Sequence, residues 1–127
     1  MLSRDRPRVD AAPGTTIACS FNLDDHCKAT EPNAPRWDYL LVAQGTSDRT
    51  VGVEVHPASA GEVGAVIDKR NWAQKKLASS CKDLIVGPSD WYWVASGKVF
   101  LRPTDPQFRR LRQSGIQGPT EHLMLRA

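Results

Sequence analysis

The chain has 127 residues, 40% hydrophobic and 24% charged, which suits a single globular domain with one core. No run approaches the ~20 apolar residues of a membrane-spanning helix, and we find no hydrophobic signal segment at the start. The net charge of +3 only weakly favours an anionic partner. The three widely spaced cysteines do not suggest a disulfide framework, so we predict reduced thiols and a cytoplasmic protein.

The polar residues 1–14 are predicted to form a mobile arm that precedes a single domain of residues 15–127. Within that domain, residues 15–21 have the composition of a strand, and residues 22–31 predict a short helix capped by Asn22. This helix is followed by a proline-rich break, beside which Glu31 is a candidate auxiliary carboxylate for the next element.

Residues 37–56 predict a β-hairpin, because two apolar, β-branched or aromatic runs flank a short polar loop. Pairing Ala43 with Arg49 across the loop places Asp38 directly opposite Glu54. Opposed side chains on antiparallel strands have Cβ atoms about 4.5–5.5 Å apart. Two like charges at that distance repel each other unless a cation lies between them.

Strand alternation places His56 on the same face as Glu54. The opposite face is apolar and consists of Val51, Val53 and Val55. The hairpin therefore predicts two facing carboxylates with a nitrogen base beside them, which is the geometry of a metal site.

Ser59 and Glu62 have the spacing of a capping box, which predicts the start of an amphipathic helix. Its apolar stripe consists of Val63, Val66, Ile67, Ala73 and Leu77.

At about 100° per residue, Arg70 falls inside this stripe and Lys69 on its flank. Lys75 and Lys76 lie farther round, and Trp72 is near the opposite side. A basic residue in a core-facing stripe either snorkels to solvent or is directed at an acidic group. The lysines could equally form a solvated face.

A buried strand is predicted over residues 84–86, and since it follows a helix, a β-α-β crossover to a parallel neighbour is expected. Residues 91–94 and 98–101 predict a second hairpin, whose tryptophans are expected in the core or as edge cover. The same hairpin is the expected interface if the protein forms a homodimer.

Asp105 and Pro106 predict the start of a helix that ends at Gly115. The arginines of this helix either form a solvent-exposed face or bind the phosphate backbone of a nucleic acid. Together with basic residues of the preceding helix they are the candidate nucleic-acid contacts: Arg70, Lys75, Lys76, Arg109, Arg110 and Arg112.

Asp38 and Glu54, with the backbone carbonyl of Val55, offer the hard oxygen ligands that Mg²⁺ or Mn²⁺ prefers. Such an ion polarises a phosphoryl oxygen and activates a water for phosphodiester hydrolysis. A neighbouring base or cation would orient that water or stabilise the developing charge. Strand parity nominates His56 for this role, and the helix nominates Lys69.

The order of these elements over about residues 15–87 resembles the PD-(D/E)xK nuclease superfamily. Asp38 matches the family aspartate and Glu54 the acidic residue of its Glu-x-Lys element, whereas His56 stands where lysine is usual. Trp37 also replaces the proline before the aspartate. In some members the role of the lysine moves to the following helix, where Lys69 is the candidate.

This resemblance implies an α/β (α+β) fold with a restriction-endonuclease-like core, in which helices flank a mixed central β-sheet. It implies a Mg²⁺-dependent (or Mn²⁺-dependent) nuclease acting on DNA or RNA. Two other interpretations remain open. One is a catalytically inactive module that binds nucleic acid or a protein partner. The other is a half-solvated sheet face that happens to carry two carboxylates.

Overall fold

A five-stranded mixed sheet forms the centre of the molecule in its computed structural model, which describes residues 1–80 and 90–126. The sheet has the order β2-β3-β4-β5-β6, and β1 and β7 form a separate parallel pair. The predicted α/β class is confirmed. The strands are β1 (Val9–Ala11), β2 (Thr16–Asn22), β3 (Tyr39–Gln44), β4 (Arg49–Ala58), β5 (Asp90–Val99), β6 (Ile116–Thr120) and β7 (Leu123–Leu125), and the helices are α1 (Leu23–Cys27), α2 (Val63–Ser80) and α3 (Pro106–Gln113).

The predicted hairpin is β3 and β4, and its predicted register is confirmed. Ala43 lies opposite Arg49, and Tyr39 lies opposite Val53. The apolar, β-branched composition of both strands suits a pleated surface that is buried on both sides. The hairpin occupies the middle of the sheet, since β2 pairs antiparallel with β3 and β5 pairs parallel with β4.

Helix α2 lies between β4 and the parallel strand β5 in the chain, which is a crossover arrangement, although the predicted crossover led to residues 84–86. The strand predicted over residues 84–86 lies outside the described residues. The predicted second hairpin is wrong, because β5 continues from Asp90 to Val99 without a turn. The long strand β4 pairs with it from Val51 opposite Asp90 to His56 opposite Ala95, and after a register shift again at Ala58 opposite Val99.

The two faces of the sheet support different cores. The helices pack on one face, where Trp91 and Trp93 are buried together with apolar side chains of α1, α2 and α3. These tryptophans are therefore core residues, as one of the predictions has it, and their burial leaves them little surface for a dimer interface. The other face is covered by β1, β7 and the N-terminal segment rather than by helices, and it buries Tyr39, Val53 and Val94 among others.

The predicted N-terminal arm is part of the folded domain, in which β1 pairs with β7. Asp5 is only 6% exposed and accepts a hydrogen bond from the Tyr39 hydroxyl. The Arg8 guanidinium donates to the carbonyls of Ala95 and Ser96 at 3.2 and 2.9 Å. The polar composition of this segment does not indicate this packing, because the residues that it contacts are distant in the chain.

Helix starts follow the sequence at two of three places. Asn22 caps α1 by accepting from the Asp25 amide at 2.9 Å, and Asp105 caps α3 by accepting from the Gln107 amide at 2.8 Å. The predicted capping box before α2 is wrong. The chain enters α2 through a 3₁₀ turn, Ala60–Glu62, in which the Ser59 side chain makes no capping bond.

Helix α2 buries four residues of the predicted stripe, namely Val63, Val66, Ala73 and Leu77. Trp72, predicted on the opposite side, is half-buried and packs against the same core. Within residues 1–80 and 90–126, no helix is both long and apolar enough to cross a membrane.

Candidate active site

Asp38 and Glu54 meet at the end of the hairpin, as the strand register predicts. The Asp38 amide donates to Glu54 Oε1 at 3.0 Å, and the Val55 amide donates to Asp38 Oδ2 at 2.9 Å. Each carboxylate is thus bonded to the backbone of the other strand. This reciprocal arrangement fixes both groups relative to the sheet.

Lys69 reaches back from α2 to the sheet. Its Nζ lies 2.6 Å from Glu54 Oε2, and the Glu54 side chain is fully buried. Lys69 itself remains 22% exposed, because its aliphatic stem runs along the flank of the buried stripe. The buried carboxylate therefore has a cation from the helix as its partner.

His56 lies between two glutamates. Its Nε2 is 2.7 Å from Glu62 Oε2, and its Nδ1 is 3.5 Å from Glu54 Oε2. The interaction with Glu54 is the largest cause that raises the pKa of His56, burial opposes it, and Glu62 adds to the rise. The protonated imidazolium is therefore favoured relative to a histidine in water.

Asp38 is the most strongly perturbed of these groups. Burial, followed by the charge of Glu54, raises the pKa of Asp38 to about 7. The hydrogen bond from Val55 and the charge of Lys69 act in the opposite direction. A carboxyl held near half-protonation at neutral pH would be deprotonated readily by a cation bound beside it.

The structure places Glu31 away from this pair. Glu31 accepts from Trp72 Nε1 at 3.2 Å and lies 2.7 Å from Lys76 Nζ. The hydrogen bond from Lys76 is the main cause that lowers the pKa of Glu31. The auxiliary role predicted for Glu31 is therefore not supported by its position, and Lys76 already has an acidic partner.

Two of the predicted nucleic-acid contacts lie in the seam between α2 and α3. The Arg110 guanidinium lies beside Gly64 of α2, and the Arg70 guanidinium lies beside Gly115 after α3. Burial lowers the pKa of Arg70. Both arginines thus also help to pack the two helices.

Like Arg110, three of the other predicted contacts are exposed. Arg112 stacks 4.5 Å above the Phe108 ring and donates to the Ile116 carbonyl at 2.8 Å. Arg109 and Lys75 are exposed. All six basic residues lie on α2 and α3, which cover the same face of the sheet to which Lys69 returns.

The carboxylate oxygens at this site come from Asp38 and Glu54. In the described parts of the chain, no three side chains of His, Cys, Asp or Glu form a group that could hold a metal by themselves. Mg²⁺ needs only one or two carboxylates and otherwise keeps its waters. No described residue donates to Asp38 Oδ1, and Val55, the predicted carbonyl ligand, already contacts Asp38 through its amide.

Sequence reasoning missed two acidic residues near this site. Asp24, in the first turn of α1, contributes to the raised pKa of Asp38 and pairs with Arg36 at 2.9 Å. Glu62 was assigned to a cap, yet it binds His56. Neither contact follows a helical or strand period, so no local pattern could have indicated it.

Comparisons of the chain with protein-family models, with curated proteins and with solved structures find no significant match.

Proposed function

We propose that this protein is a metal-dependent phosphodiesterase that acts on nucleic acid. The observation that carries the proposal is the meeting of Asp38, Glu54 and Lys69 at one end of the hairpin. Two carboxylates and an ammonium group from three different elements converge there, and one of the carboxylates is fully buried. Burying such charges is costly unless they are compensated, so a purely structural sheet face has little reason to collect them.

Asp38 and Glu54 would hold Mg²⁺ or Mn²⁺, with the Val55 carbonyl as a further oxygen ligand. The ion would supply Lewis acidity toward a phosphoryl oxygen and a bound water of lowered pKa. Deprotonation of Asp38 would accompany binding, because its carboxyl has a pKa of about 7 in the absence of a cation.

Lys69 and His56 would share the role that a single motif lysine has in the superfamily. Lys69 would stabilise negative charge on the phosphoryl group, since its ammonium lies next to Glu54. His56 is held by Glu62 and favours its protonated form, which suits donation of a proton to the leaving oxygen better than removal of one from water.

Nucleic acid would approach over the helix side, where Lys75, Arg109 and Arg112 are exposed to contact phosphates. Cleavage of both strands of a duplex would call for a homodimer, and reduced thiols suit a cytoplasmic enzyme. The nucleic-acid partner, the homodimer and the cytoplasmic location all belong to the proposed function.

Metal binding provides the first test. Titration of the wild-type protein with Mg²⁺ or Mn²⁺ by calorimetry should show saturable binding that Asp38→Asn weakens at least about 10-fold. Asp48→Asn is the matched control, because Asp48 is exposed in the loop of the same hairpin. Binding that is absent, or that both variants weaken equally, contradicts the proposal.

Cleavage assays provide the second test, on branched, duplex and single-stranded DNA and on RNA. Lys69→Gln should reduce the cleavage rate about 100-fold or more. Lys28→Gln, at an exposed lysine just after α1 that the proposal does not use, should change it only slightly. A wild-type protein that binds the metal but leaves all of these substrates intact would exclude the enzymatic proposal.

A catalytically inactive nucleic-acid or protein-binding module is the second candidate. It is favoured by one observation: both oxygens of Glu54 already have partners, the Asp38 amide and the Lys69 ammonium. In that case nucleic-acid binding should persist in Glu54→Gln and should weaken steeply with salt. A protein that ignores nucleic acid at low salt would instead point to a protein partner.

A further inference from the structure

A cavity of about 350 Å³ lies beside Asp38, between the N-terminal residues, the start of α1 and the strands β3, β4 and β5. Val55 and Ser96 line it from the C-terminal halves of the parallel strands β4 and β5. Ligands of open α/β sheets commonly bind at the carboxyl ends of parallel strands. The volume is near the lower end of the range of about 300–1,000 Å³ that small-ligand pockets occupy.

One wall of the cavity is the N-terminal segment, defined here as residues 2–8. The Leu2 amide donates to the Tyr39 hydroxyl at 3.3 Å, and that hydroxyl donates to buried Asp5. Arg8 is tied to the end of β5 through the carbonyls of Ala95 and Ser96. This wall is therefore built into the fold at both of its ends.

The charges that line the cavity leave its two arginines uncompensated. Among the described residues, neither Arg4 nor Arg8 forms an ion pair, and both line the cavity. Arg8 Nε is also buried without an acceptor. A ligand that carries several anionic oxygens would supply what these groups lack.

The aspartates of the lining already have partners. Asp24 is paired with Arg36 at 2.9 Å, and Asp5 accepts from Tyr39. Asp38 accepts from the Val55 amide. The acidic groups are thus partly satisfied within the protein. In the part of the chain that the structure describes, Arg4 and Arg8 have no carboxylate partner, and Arg8 donates only to the carbonyls of Ala95 and Ser96.

We propose that this cavity binds the terminal nucleotide of a nucleic-acid strand, with its phosphate monoester held by Arg4 and Arg8. The inference rests on the proposed function, because it places the strand end next to Asp38. The N-terminal segment crosses one side of the cavity, which admits a chain end but obstructs a strand that continues in both directions. The cavity has room for about one small ligand, so the duplex itself would remain outside it.

The test compares binding of short oligonucleotides with a 5′-phosphate, a 3′-phosphate or hydroxyl groups at both ends, in the presence of a chelator to prevent cleavage. We expect one phosphorylated form to bind about 10-fold tighter or more than the unphosphorylated form, as hydrogen bonds to a charged group would provide. Equal affinity for all three overturns the inference.

Variants then locate the effect. The preference should disappear in a protein that carries both Arg4→Gln and Arg8→Gln, and it should fall severalfold in Arg4→Gln alone, which disturbs no hydrogen bond of the described structure. Arg6→Gln is the control, because Arg6 belongs to the same segment, donates to the Met1 carbonyl and does not line the cavity. Equal effects of Arg4→Gln and Arg6→Gln would indicate general electrostatic attraction and contradict the site.

Competition with inorganic phosphate and with a nucleoside monophosphate distinguishes the sources of the phosphate. The nucleotide should compete better, and equal competition would show a free-anion site and overturn the inference. Cleavage with Mg²⁺ is measured in parallel. A protein that cleaves without preferring phosphorylated ends refutes only the inference, whereas one that prefers such ends without cleaving refutes only the proposed catalysis.

Discussion

Two lysines of helix α2 form ion pairs with two glutamates. The two pairs have nearly the same length, but their glutamates differ in exposure to solvent. Lys69 lies 2.6 Å from Glu54, and Lys76 lies 2.7 Å from Glu31. The lysines are about two helical turns apart, so they leave the helix in nearly the same direction. The Glu54 side chain is fully buried, however, whereas the Glu31 side chain is 33% exposed.

The environment, not the contact distance, decides what each pair can do. Water screens the Glu31 pair, and such surface pairs contribute little to stability. Glu54 has lost its water and depends on the Asp38 amide and the Lys69 ammonium for compensation. Glu54 also raises the pKa of a second carboxyl, that of Asp38. Of the two ion pairs, only Lys69–Glu54 therefore lies in the kind of perturbed environment that is common at catalytic sites.

The largest effect is expected from Lys69→Met. It leaves the Glu54 charge buried without its cation, so the free energy of unfolding should fall by about 3–5 kcal/mol. Chemical denaturation measures this loss, with Lys76→Met as the control from the same helix. Similar losses in the two variants would show that the pairs are equivalent and would break the comparison.

The next effect is a pH dependence that comes from Asp38. Its pKa is raised from an ordinary value near 3.8 to about 7, so between these values the folded protein holds a proton that the unfolded chain has released. Stability should therefore fall as pH rises through this range, by at most about 1.4 kcal/mol per pH unit.

Measurements between pH 5 and 6 isolate this effect. The pKa of His56 is also raised, but its stabilising contribution is lost only as pH rises above about 6.5. Above that pH the imidazolium of the unfolded chain loses its proton. Asp38→Asn should flatten the dependence between pH 5 and 6. An unchanged slope in that variant would assign the dependence to another group.

A smaller effect is expected from Glu62→Gln. The substitution keeps the size of the side chain but removes one of the two carboxylates beside His56, so the pKa of His56 should fall while remaining influenced by Glu54. NMR titration of the imidazole measures the change. If the pKa rises or stays the same, Glu62 does not stabilise the imidazolium.

The smallest effect concerns the exposed pair. In Lys76→Met, the pKa of Glu31 should rise toward its ordinary value, because Lys76 is the main cause of its lowering. Salt should reduce the difference between wild type and variant, since the pair is open to solvent. NMR titration of the Glu31 carboxyl at low and high salt provides the measurement, and a salt-independent difference would mean that the pair is shielded from water.

The core of the candidate site follows from local periodicity. Alternation along the strands and the loop between them were enough to place Asp38 opposite Glu54, with Val53 on the other face. A one-residue change of register would place the Glu54 side chain on the other face of the sheet, in the core that contains Val53. The apolar pattern therefore specifies the pairing strongly. This is why the hairpin could be predicted.

The second predicted hairpin failed for a complementary reason. Ser96 and Gly97 are common in turns, and the sequence around them does not show that β4 continues far enough to pair with this segment. The N-terminal segment was misjudged in the same way, because the carbonyls that bind Arg8 belong to a strand more than 80 residues away.

The amino-acid sequence by itself determined the central hairpin, the amphipathic helix that follows it and the opposition of two carboxylates, because strand and helix periods are local properties of the backbone. Only the tertiary structure decided that Lys69 reaches Glu54, that Glu62 holds His56 and that residues 2–8 wall a cavity beside Asp38. Those contacts depend on the distance and tilt between packed elements. Such quantities are set by the whole core, and no short stretch of sequence contains them.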